Sequence, residues 1–347
     1  MPISIVVGGQ FGSEGKGKVA CLLAKQRAAR AVVRVGGPNS GHTVMDNAGK
    51  AWIFRQLPTA AVLADPICVL STGSYIDLDV LRSEVSMIGL NKSRLKIDPH
   101  AVVITPECKM RELDGDLRAR IGSTLTGTGG AVCMRTERSP ALRFAKDEPD
   151  LAEYICDASD YLDRCCATGD RVVAEGSQGF GLSVTHTPFY PFATSRDTTA
   201  AGILSEIGLS PLLVDEIALV IRAFPIRVPG NSGPLANETT WEAIAREGDF
   251  PDTFCELTSV TRAKRRVAHF DADLVRASVR VNRPTSIYLN HLDYADRVAS
   301  ATKSVTGRAR TLVESISRSI GGCINYVGLG PEDCQPFESS NCLFLAA

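Results

Sequence analysis

A glycine-rich segment near the start of the chain combines the residue types that hold a phosphate group. Residues 8–18 read GGQFGSEGKGK and follow a short apolar run at 3–7. Small residues let backbone N–H groups approach a phosphate closely, and a helix start with two lysines adds positive potential. The stretch from Gly12 to Lys18 nearly completes G-x-x-x-x-G-K-[ST], but Val19 stands where the magnesium-binding hydroxyl belongs. We therefore predict a phosphate loop that departs from the standard Walker loop.

The elements that must position this loop follow from the pattern of the whole chain. Short β-rich runs alternate with helical patterns, as in the run at 3–7 with the helical pattern at 17–26, and later in the helical pattern at 150–165. This alternation predicts an α/β fold with a mostly parallel central sheet flanked by helices, and a P-loop-like phosphate loop after strand 1. In such sheets ligands bind at the carboxyl ends of the strands. Further glycine-rich or polar stretches fall at these expected ends, at 36–43, 176–181, 290–293 and 328–333.

Composition limits the class of protein. With 347 residues and 44% hydrophobic content, the chain can bury a large core, and we expect one domain over 1–347. A formal net charge of −1 implies no basic face, so nucleic acid is not an expected partner. No apolar run reaches the ~18 residues that span a bilayer, so we expect no membrane association. Eleven cysteines without a C-x-x-C motif indicate reduced thiols in a cytoplasmic protein, in the host cell cytoplasm if phage-encoded.

Taken together, these segments resemble the signature motifs of adenylosuccinate synthetases. Residues 8–18 are similar to the family loop G-x-x-x-G-D-E-G-K-G-K, residues 36–43 (GGPNSGHT) to G-G-x-N-x-G-H-T, and residues 175–179 (EGSQG) to E-G-x-Q-G. Further similarities occur in order along the chain, at 121–129, 194–199, 292–293 and 328–331. The resemblance covers most of the chain, and the chain's length resembles the compact archaeal-type branch.

The resemblance implies a carbon–nitrogen ligase that joins L-aspartate to a purine 5′-monophosphate. In this family a nucleoside triphosphate phosphorylates the purine O6, and the amine of aspartate then displaces that phosphate at C6. The C6 oxygen leaves poorly until it is phosphorylated, and a phosphoryl group in transfer needs cations and oriented N–H donors. The implied cofactor is Mg²⁺.

The resemblance also implies roles for individual residues. Lys16, Lys18 and the loop amides hold the transferring phosphate, and His42 lies against it and O6 as an electrostatic donor or acid. The implied catalytic residues are Ser13, Lys16, His42 and Gln178, and the implied metal ligands are Ser13 and the Gly41 carbonyl. The implied nucleotide-binding residues are Gly12, Glu14, Gly15, Gly17, Lys18, Asn39, Gly41, Thr43, Ser123, Thr124, Arg138, Thr194, Asp293, Gly328, Gly330 and Pro331. Within this set, Asn39 contacts the purine together with Gln178, and Thr124 and Thr194 contact the 5′-phosphate.

Two arginine-containing segments are implied to bind the remaining groups. By this resemblance, Arg138 aligns with a family arginine that reaches the partner subunit's nucleotide, which implies a homodimer. Arg135 and Arg143 are the alternatives for this role. The run at 261–266 resembles the family's aspartate-binding loop, and guanidinium groups suit the two carboxylates of aspartate. Because Ala263 stands where the family often has arginine, only Thr261 and Arg265 are assigned to aspartate.

Ser13 is the informative departure from the family pattern, which has Asp at this position. That Asp takes the proton from purine N1 and ligates Mg²⁺, whereas a serine hydroxyl has no useful basicity at neutral pH. Serine also leaves room for the 2-amino group of guanine, which lies next to N1, and its oxygen can accept a hydrogen bond. The departure resembles the phage branch, the 2-aminoadenylosuccinate synthetases, which condense dGMP with aspartate on the route to 2,6-diaminopurine DNA.

The triphosphate end departs as well. GTP-using members read K-L-D where this chain has His291-Leu292-Asp293. Asp293 remains, but the flanking lysine is lost, and the phage branch uses ATP or dATP. We expect an adenine triphosphate. The alternatives are an ordinary adenylosuccinate synthetase that uses IMP and GTP, and a nucleotide-binding regulator without chemistry. The regulator would explain the glycine loop and Ser13, but not the motif around His42 or the basic run at 261–266.

Overall fold

A computed structural model of the chain describes residues 2–258 and 262–338. The strands in this part are β1 (Ile3–Gly8), β2 (Ala31–Gly36), β3 (His42–Met45), β4 (Ala51–Phe54), β5 (Ile67–Ile76), β6 (Leu95–Ile97), β7 (Val102–Val103), β8 (Arg143–Phe144), β9 (Val172–Glu175), β10 (Val214–Arg222), β11 (Ile226–Arg227), β12 (Glu238–Thr239), β13 (Arg266–Ala268), β14 (Ser286–Asn290), β15 (Tyr326–Val327) and β16 (Gln335–Pro336).

The α-helices are α1 (Lys16–Gln26), α2 (Leu78–Ile88), α3 (Pro106–Asp114), α4 (Leu117–Ile121), α5 (Thr128–Glu137), α6 (Ala158–Ala167), α7 (Ala200–Ile207), α8 (Trp241–Glu247), α9 (Ala272–Asn282), α10 (Arg297–Thr302) and α11 (Gly307–Ile320). Short 3₁₀ helices lie at Thr59–Val62, Lys92–Arg94, Ala145–Asp147, Pro149–Tyr154, Phe180–Leu182, Pro211–Leu213 and Leu292–Tyr294.

The central sheet is mostly parallel, as the alternating pattern predicted. Its strand order is β16-β15-β14-β10-β1-β9-β2-β5-β7-β8, and β6 also pairs with β5. Only the terminal pairs, β15 with β16 and β7 with β8, are antiparallel among the central-sheet pairings in the described residues. β1 lies between β10 and β9, with Val6 opposite Ala218 on one side and Glu175 on the other. Two small antiparallel sheets, β11-β13-β12 and β3-β4, complete the architecture.

The apolar composition of β1 explains why it occupies the middle of the sheet. All six of its residues are buried, as expected for a parallel strand that is covered by helices on both faces. Alternate side chains enter different cores: Ile5 packs in a cluster with residues of α7 and α11, whereas Val6 packs in a cluster with residues of α1. The phosphate loop therefore follows a buried strand that is paired on both sides.

One helical expectation needs correction. The pattern over 150–165 predicts one continuous helix, but the structure has a 3₁₀ helix at Pro149–Tyr154 and then α6 at Ala158–Ala167. The side chain of Asp157 accepts a hydrogen bond from the Asp160 N–H and so caps a new helix start. Local capping therefore outweighs the continuous pattern.

The cysteines largely follow the expectation of free thiols. Nine described cysteines, Cys21, Cys68, Cys108, Cys133, Cys156, Cys165, Cys166, Cys255 and Cys334, are free. Cys323 is disulfide-bonded, so the expectation does not extend to it. Within residues 2–258 and 262–338, every helix is too short or too polar to cross a bilayer.

Candidate active site

The carboxyl ends of the central strands bring the predicted motifs to one edge of the sheet. Gly8, Gly36, Glu175, Arg222 and Asn290 are the last residues of β1, β2, β9, β10 and β14. The loops that follow these strands carry the glycine-rich and polar stretches that the sequence singled out. Parallel strands end at a common edge, which is why segments far apart in sequence meet here.

The phosphate loop is held by its own carboxylate. The Glu14 side chain is fully buried and accepts hydrogen bonds from the Gln10 N–H at 3.1 Å and the Gly12 N–H at 2.8 Å. Its other oxygen lies 2.6 Å from the Lys16 ammonium. Positive φ angles of 94° at Gly12 and 91° at Gly15 shape the turn, a conformation that glycine adopts without strain. Loop amides and Lys16 thus converge on one anionic group, as a phosphate site requires.

Ser13 lies on the exposed rim of this loop, with a φ of 57°. Its backbone carbonyl accepts a hydrogen bond from Arg222 Nη1 at 3.0 Å, and its hydroxyl has no hydrogen bond within the described residues. Gln178, also at positive φ, places its Oε1 3.9 Å from where a Cβ on Gly12 would stand. The structure therefore brings Ser13 and Gln178 to the same part of the loop and leaves the Ser13 hydroxyl free.

His42 is buried against the first turn of α1. It begins β3, and a Cβ on Gly17 would lie 2.9 Å from the His42 Cβ, so only glycine fits there. His42 Nδ1 hydrogen-bonds Glu175, and the other Glu175 oxygen accepts from the Thr59 N–H and hydroxyl, both at 2.7 Å. Arg34 approaches Glu175 at 3.9 Å. The hairpin β3-β4 therefore places His42 against α1, where the buried Glu175 carboxylate orients the imidazole.

The protonation of this pair follows from burial and charge. Burial and the nearby Arg34 charge lower the pKa of His42 to about 4, which outweighs the opposing effect of Glu175. Burial alone would raise the pKa of Glu175, but the His42 hydrogen bond and the Arg34 charge lower it. At neutral pH, Glu175 is ionised and accepts the Nδ1–H of a neutral imidazole, so Nε2 is a hydrogen-bond acceptor. A donor or acid role requires protonation, which an anionic phosphate close to Nε2 favours.

Lys18 points away from Lys16, toward the opposite loop. Its ammonium donates to the carbonyls of Gly330 at 2.8 Å and Asp333 at 3.1 Å. The side chain of Asn290 ties this region to the phosphate loop, because it donates to the Glu14 carbonyl at 2.8 Å. The structure thus joins Lys18 to the loop that contains the predicted segment 328–331.

The other predicted nucleotide contacts lie on loops around this edge. Burial raises the pKa of Asp293, which lies in the 3₁₀ helix after β14. The remaining positions range from partly buried to exposed: Thr43 in β3, and the loop residues Asn39, Gly41, Ser123, Thr124 and Thr194. The Ser123 hydroxyl accepts from the Leu125 N–H at 3.2 Å and so organises its own turn. Thr261 lies outside the described residues.

The three arginines proposed for the partner's nucleotide differ in their engagement. Arg135 donates to the Thr72 carbonyl at 2.8 Å, and Arg143 lies 3.7 Å from Glu148. Arg138 ends α5 at a φ of 59°, is exposed, and has no ion pair or hydrogen bond from its side chain in the described part of the chain. Of the three, only Arg138 is therefore free to reach another group.

Arg265, the predicted aspartate ligand, lies close to a partly buried carboxylate, that of Glu256. Its Nε is 3.2 Å from Glu256 Oε1, while Glu256 Oε2 accepts from Arg222 Nη2 at 2.7 Å and from the Tyr294 hydroxyl at 3.1 Å. Burial would raise the pKa of Glu256, but Arg222 and its neighbours lower it to about 2. This cluster connects the predicted aspartate-binding loop to the Ser13 end of the phosphate loop.

Three residues of the site escaped the sequence reasoning as functional candidates. Glu175 opens the motif at 175–179, but the resemblance implies no role for it, whereas Arg222 and Glu256 belong to none of the motifs. A charged residue closing an apolar strand, as Arg222 closes β10, is a signal that would have found one of them.

The oxygens available for a cation are mostly neutral. No group of three or more His, Cys, Asp or Glu side chains is arranged for a metal within residues 2–258 and 262–338. Ser13 supplies a hydroxyl, Gly41 a carbonyl, and the Glu14 carboxylate is already engaged. Mg²⁺ keeps several waters and commonly takes substrate phosphates as ligands. These residues fit a cation that arrives with nucleotide phosphates and do not fit a metal cage built by the protein alone.

Solved structures share this fold. The chain superimposes with a TM-score of 0.81 on the cyanophage S-2L succinoaminodeoxyadenylate synthetase (PurZ) bound to dGMP and dATP as an energy donor, at 27% identity over 96% of this chain and 95% of that one. It superimposes equally well, with a TM-score of 0.81, on fully ligated adenylosuccinate synthetase from Plasmodium falciparum. That likeness, at 18% identity over 95% of this chain and 98% of the other, shows the fold alone.

Sequence comparison gives the family. The family model for adenylosuccinate synthetase matches residues 5–146 and 141–306. The chain is 35% identical over 341 residues to adenylosuccinate synthetase of Pyrococcus sp. (strain ST700), covering 96% of this chain and 97% of that protein. It is 33% identical over 345 residues to that of Methanocaldococcus jannaschii, covering 97% of each. The chain therefore belongs to the adenylosuccinate synthetase family.

Proposed function

We propose that this ligase condenses L-aspartate with dGMP, driven by ATP or dATP. The product is 2-amino-2′-deoxyadenylosuccinate, with ADP (or dADP) and phosphate, for 2,6-diaminopurine DNA synthesis. The observation that carries the proposal is Ser13: the family's carboxylate is replaced at the loop rim, while Glu14, Lys16 and the buried pair of His42 with Glu175 remain in place. A decayed enzyme would not be expected to keep a buried charged cluster, because unpaired charges in the interior are costly.

The reaction assigns a task to each part of the site. Lys16 and the phosphate loop take the transferring phosphoryl group, while Glu14 keeps its hydrogen bonds to the loop and its ion pair with Lys16. Positive groups preorganised around that charge lower the barrier. His42, oriented by Glu175, faces the phosphoryl group and O6. The aspartate amine then forms the bond to C6 while the C6–O6 bond breaks and phosphate leaves.

The space next to purine N1 supports a guanine base. Ser13 is shorter than Asp, and its free hydroxyl can accept a hydrogen bond from the 2-amino group. Gln178 lies beside Gly12 in the same part of the loop and supplies an amide to the purine. The cyanophage protein to which the chain is similar binds dGMP and dATP, which supports the same pair of nucleotides here.

An ordinary adenylosuccinate synthetase, which uses IMP and GTP, is the second candidate. The observation that favours it is similarity: the chain is 35% identical to the Pyrococcus protein and 27% identical to the cyanophage protein. We prefer the dGMP reaction because sequence identity is averaged over the whole chain and does not report on the choice of base. Ser13, in contrast, is the residue that we propose to face the base.

At the triphosphate end we propose adenine. Asp293 remains as an acceptor, and the family's flanking lysine is His291 here. An adenine amino group can donate to the Asp293 carboxylate. Lys18, bonded to Gly330 and Asp333, holds the segment 328–331 against this end. Mg²⁺ would enter with the triphosphate, with Ser13 and the Gly41 carbonyl as its protein ligands, and would supply positive charge to the phosphates.

A panel of nucleotides tests the proposal. Phosphate release is measured with dGMP, GMP, dIMP and IMP in turn, each with ATP, GTP or dATP, and with Mg²⁺. Each mixture is run with aspartate and without it, which separates ligation from simple hydrolysis. We expect aspartate-dependent turnover that is fastest with dGMP and an adenine triphosphate. Faster turnover with IMP and GTP would establish the second candidate instead.

A further inference from the structure

The predicted aspartate loop is connected to the phosphate loop by a chain of partly buried contacts. Arg222 is fully buried and donates from Nη1 to the Ser13 carbonyl at 3.0 Å and from Nη2 to Glu256 Oε2 at 2.7 Å. The other Glu256 oxygen lies 3.2 Å from Arg265 Nε. One carboxylate therefore serves two guanidinium groups that belong to different parts of the active site.

The ion pair with Glu256 leaves the two terminal guanidinium nitrogens of Arg265 available. Glu256 Oε1 lies 3.2 Å from Nε as an ion pair that lacks hydrogen-bond geometry, and the two terminal nitrogens of Arg265 have no hydrogen bond within the described residues. Terminal guanidinium nitrogens are the pair that binds a carboxylate in two-pronged geometry. The Nε side of the guanidinium is thus paired in charge by the protein, while the fork remains available to a ligand.

The backbone of Arg265 is anchored independently of this ion pair. Its N–H donates to the Glu256 carbonyl at 3.0 Å, and its carbonyl accepts from Trp241 Nε1 at 2.7 Å. The Glu256 side chain is therefore not needed to hold the loop's main chain at this point. Its contribution is to orient the guanidinium and to separate two like charges, those of Arg222 and Arg265.

We infer that Glu256 is a positioning residue for the aspartate step. Its charge attracts the Arg265 guanidinium at the Nε side, which leaves the fork to face the substrate carboxylate, and its hydrogen bond to Arg222 links this position to Ser13. The inference rests on the proposed function only in taking aspartate as the ligand of Arg265. It does not depend on which purine nucleotide the enzyme prefers.

Replacing Glu256 by Gln removes this orientation while keeping the size of the side chain. The amide oxygen can still accept from Arg222, but the amide NH₂ then faces Arg265 Nε, and two donors repel each other. We expect the Glu256→Gln variant to raise the KM for aspartate about tenfold or more, with little change in the KM of either nucleotide. Glu256→Asp, which keeps the charge, should recover part of that loss.

Glu242→Gln is the matched control. Glu242 pairs at 2.7 Å with Lys264, the neighbour of Arg265, but both partners are about half exposed. Exposed ion pairs contribute little, so this variant should keep the native KM for aspartate. Thermal unfolding of each variant distinguishes a folding defect from a specific effect on aspartate. A folding defect would lower kcat and both nucleotide affinities together.

Kinetics are measured with whichever purine monophosphate the native enzyme turns over fastest. Preference for IMP would end the dGMP proposal and leave this test intact. An unchanged or lower aspartate KM in Glu256→Gln would overturn the inference, because Glu256 would then be neutral toward aspartate or compete with it. A second check is the double variant with Arg265→Lys: its aspartate KM should match the larger single effect, because both changes break one contact. Additive effects would also count against the inference.

Discussion

The phosphoryl end and the aspartate end of this active site are built differently. At the phosphoryl end Lys16 and His42 each have a buried carboxylate partner: Glu14 from the same loop for Lys16, and Glu175 from the end of β9 for His42. At the aspartate end, Arg265 shares Glu256 with Arg222 and keeps a free fork. The first arrangement is preorganised before substrate arrives, whereas the second has an excess of positive charge that only a substrate carboxylate completes. This contrast suggests that variants at one end change kcat and variants at the other change substrate affinity.

The largest effect is expected at the phosphoryl end. His42→Ala and Lys16→Ala should each raise the activation free energy by ~2.7–4 kcal/mol. This lowers kcat about a hundredfold to a thousandfold, while nucleotide affinity changes far less. The physical reason is that both groups act where charge moves in the transition state. Steady-state kinetics and direct nucleotide titration measure the two quantities. Near-normal kcat in either variant would show that the phosphoryl site lies elsewhere.

Removing the free fork tests the opposite end. Arg265→Ala should weaken aspartate binding by ~1.5–3 kcal/mol and so raise the KM for aspartate. The reason is that the substrate carboxylate loses both hydrogen bonds of a two-pronged guanidinium together. The KM of each nucleotide should change little. Initial rates at varied aspartate, with both nucleotides saturating, give the result. Equal increases for all three substrates would indicate a structural role and would remove the contrast between the ends.

Ser13 lies between the two ends, and its replacement tests base choice. Ser13→Asp should shift kcat/KM from dGMP toward IMP by at least about tenfold, because a poorly paired polar group in a closed site costs ~1–3 kcal/mol. The positive φ at this position is compatible with Asp, which tolerates the left-handed conformation better than most residues. The ratio of kcat/KM for the two nucleotides is compared in both proteins. An unchanged ratio would mean that Ser13 does not select the base.

The smallest effect concerns assembly. We expect a homodimer in which Arg138 contacts the neighbour's monophosphate, so Arg138→Ala should raise the KM of that nucleotide several-fold. Arg143→Ala is the matched control, because Arg143 is exposed and pairs with Glu148 of its own chain. Sedimentation under turnover conditions gives the oligomeric state. A monomer, or equal effects of the two substitutions, would argue against the crossing arginine.

The order of elements along the chain was predictable because it depends on local patterns. The apolar runs and glycine-rich segments indicated where β1, α1 and the phosphate loop lie, and the motifs around His42 and Gln178 indicated the family. These signals are contiguous in sequence, and local residue type decides backbone conformation at a turn such as Gly12 to Gly15. The type of chemistry was therefore accessible from the residues and their resemblance alone.

Only the tertiary structure decided which charged groups meet. Lys16 and Lys18 are two residues apart in sequence, yet one pairs with Glu14 and the other with carbonyls more than three hundred residues away, at Gly330 and Asp333. Glu256 acquires its role because the ends of parallel strands and the loop before β13 converge in space. Burial then changes the chemistry of these groups, since a charge in the interior is stable only with a partner. Sequence spacing carries no information on such partners.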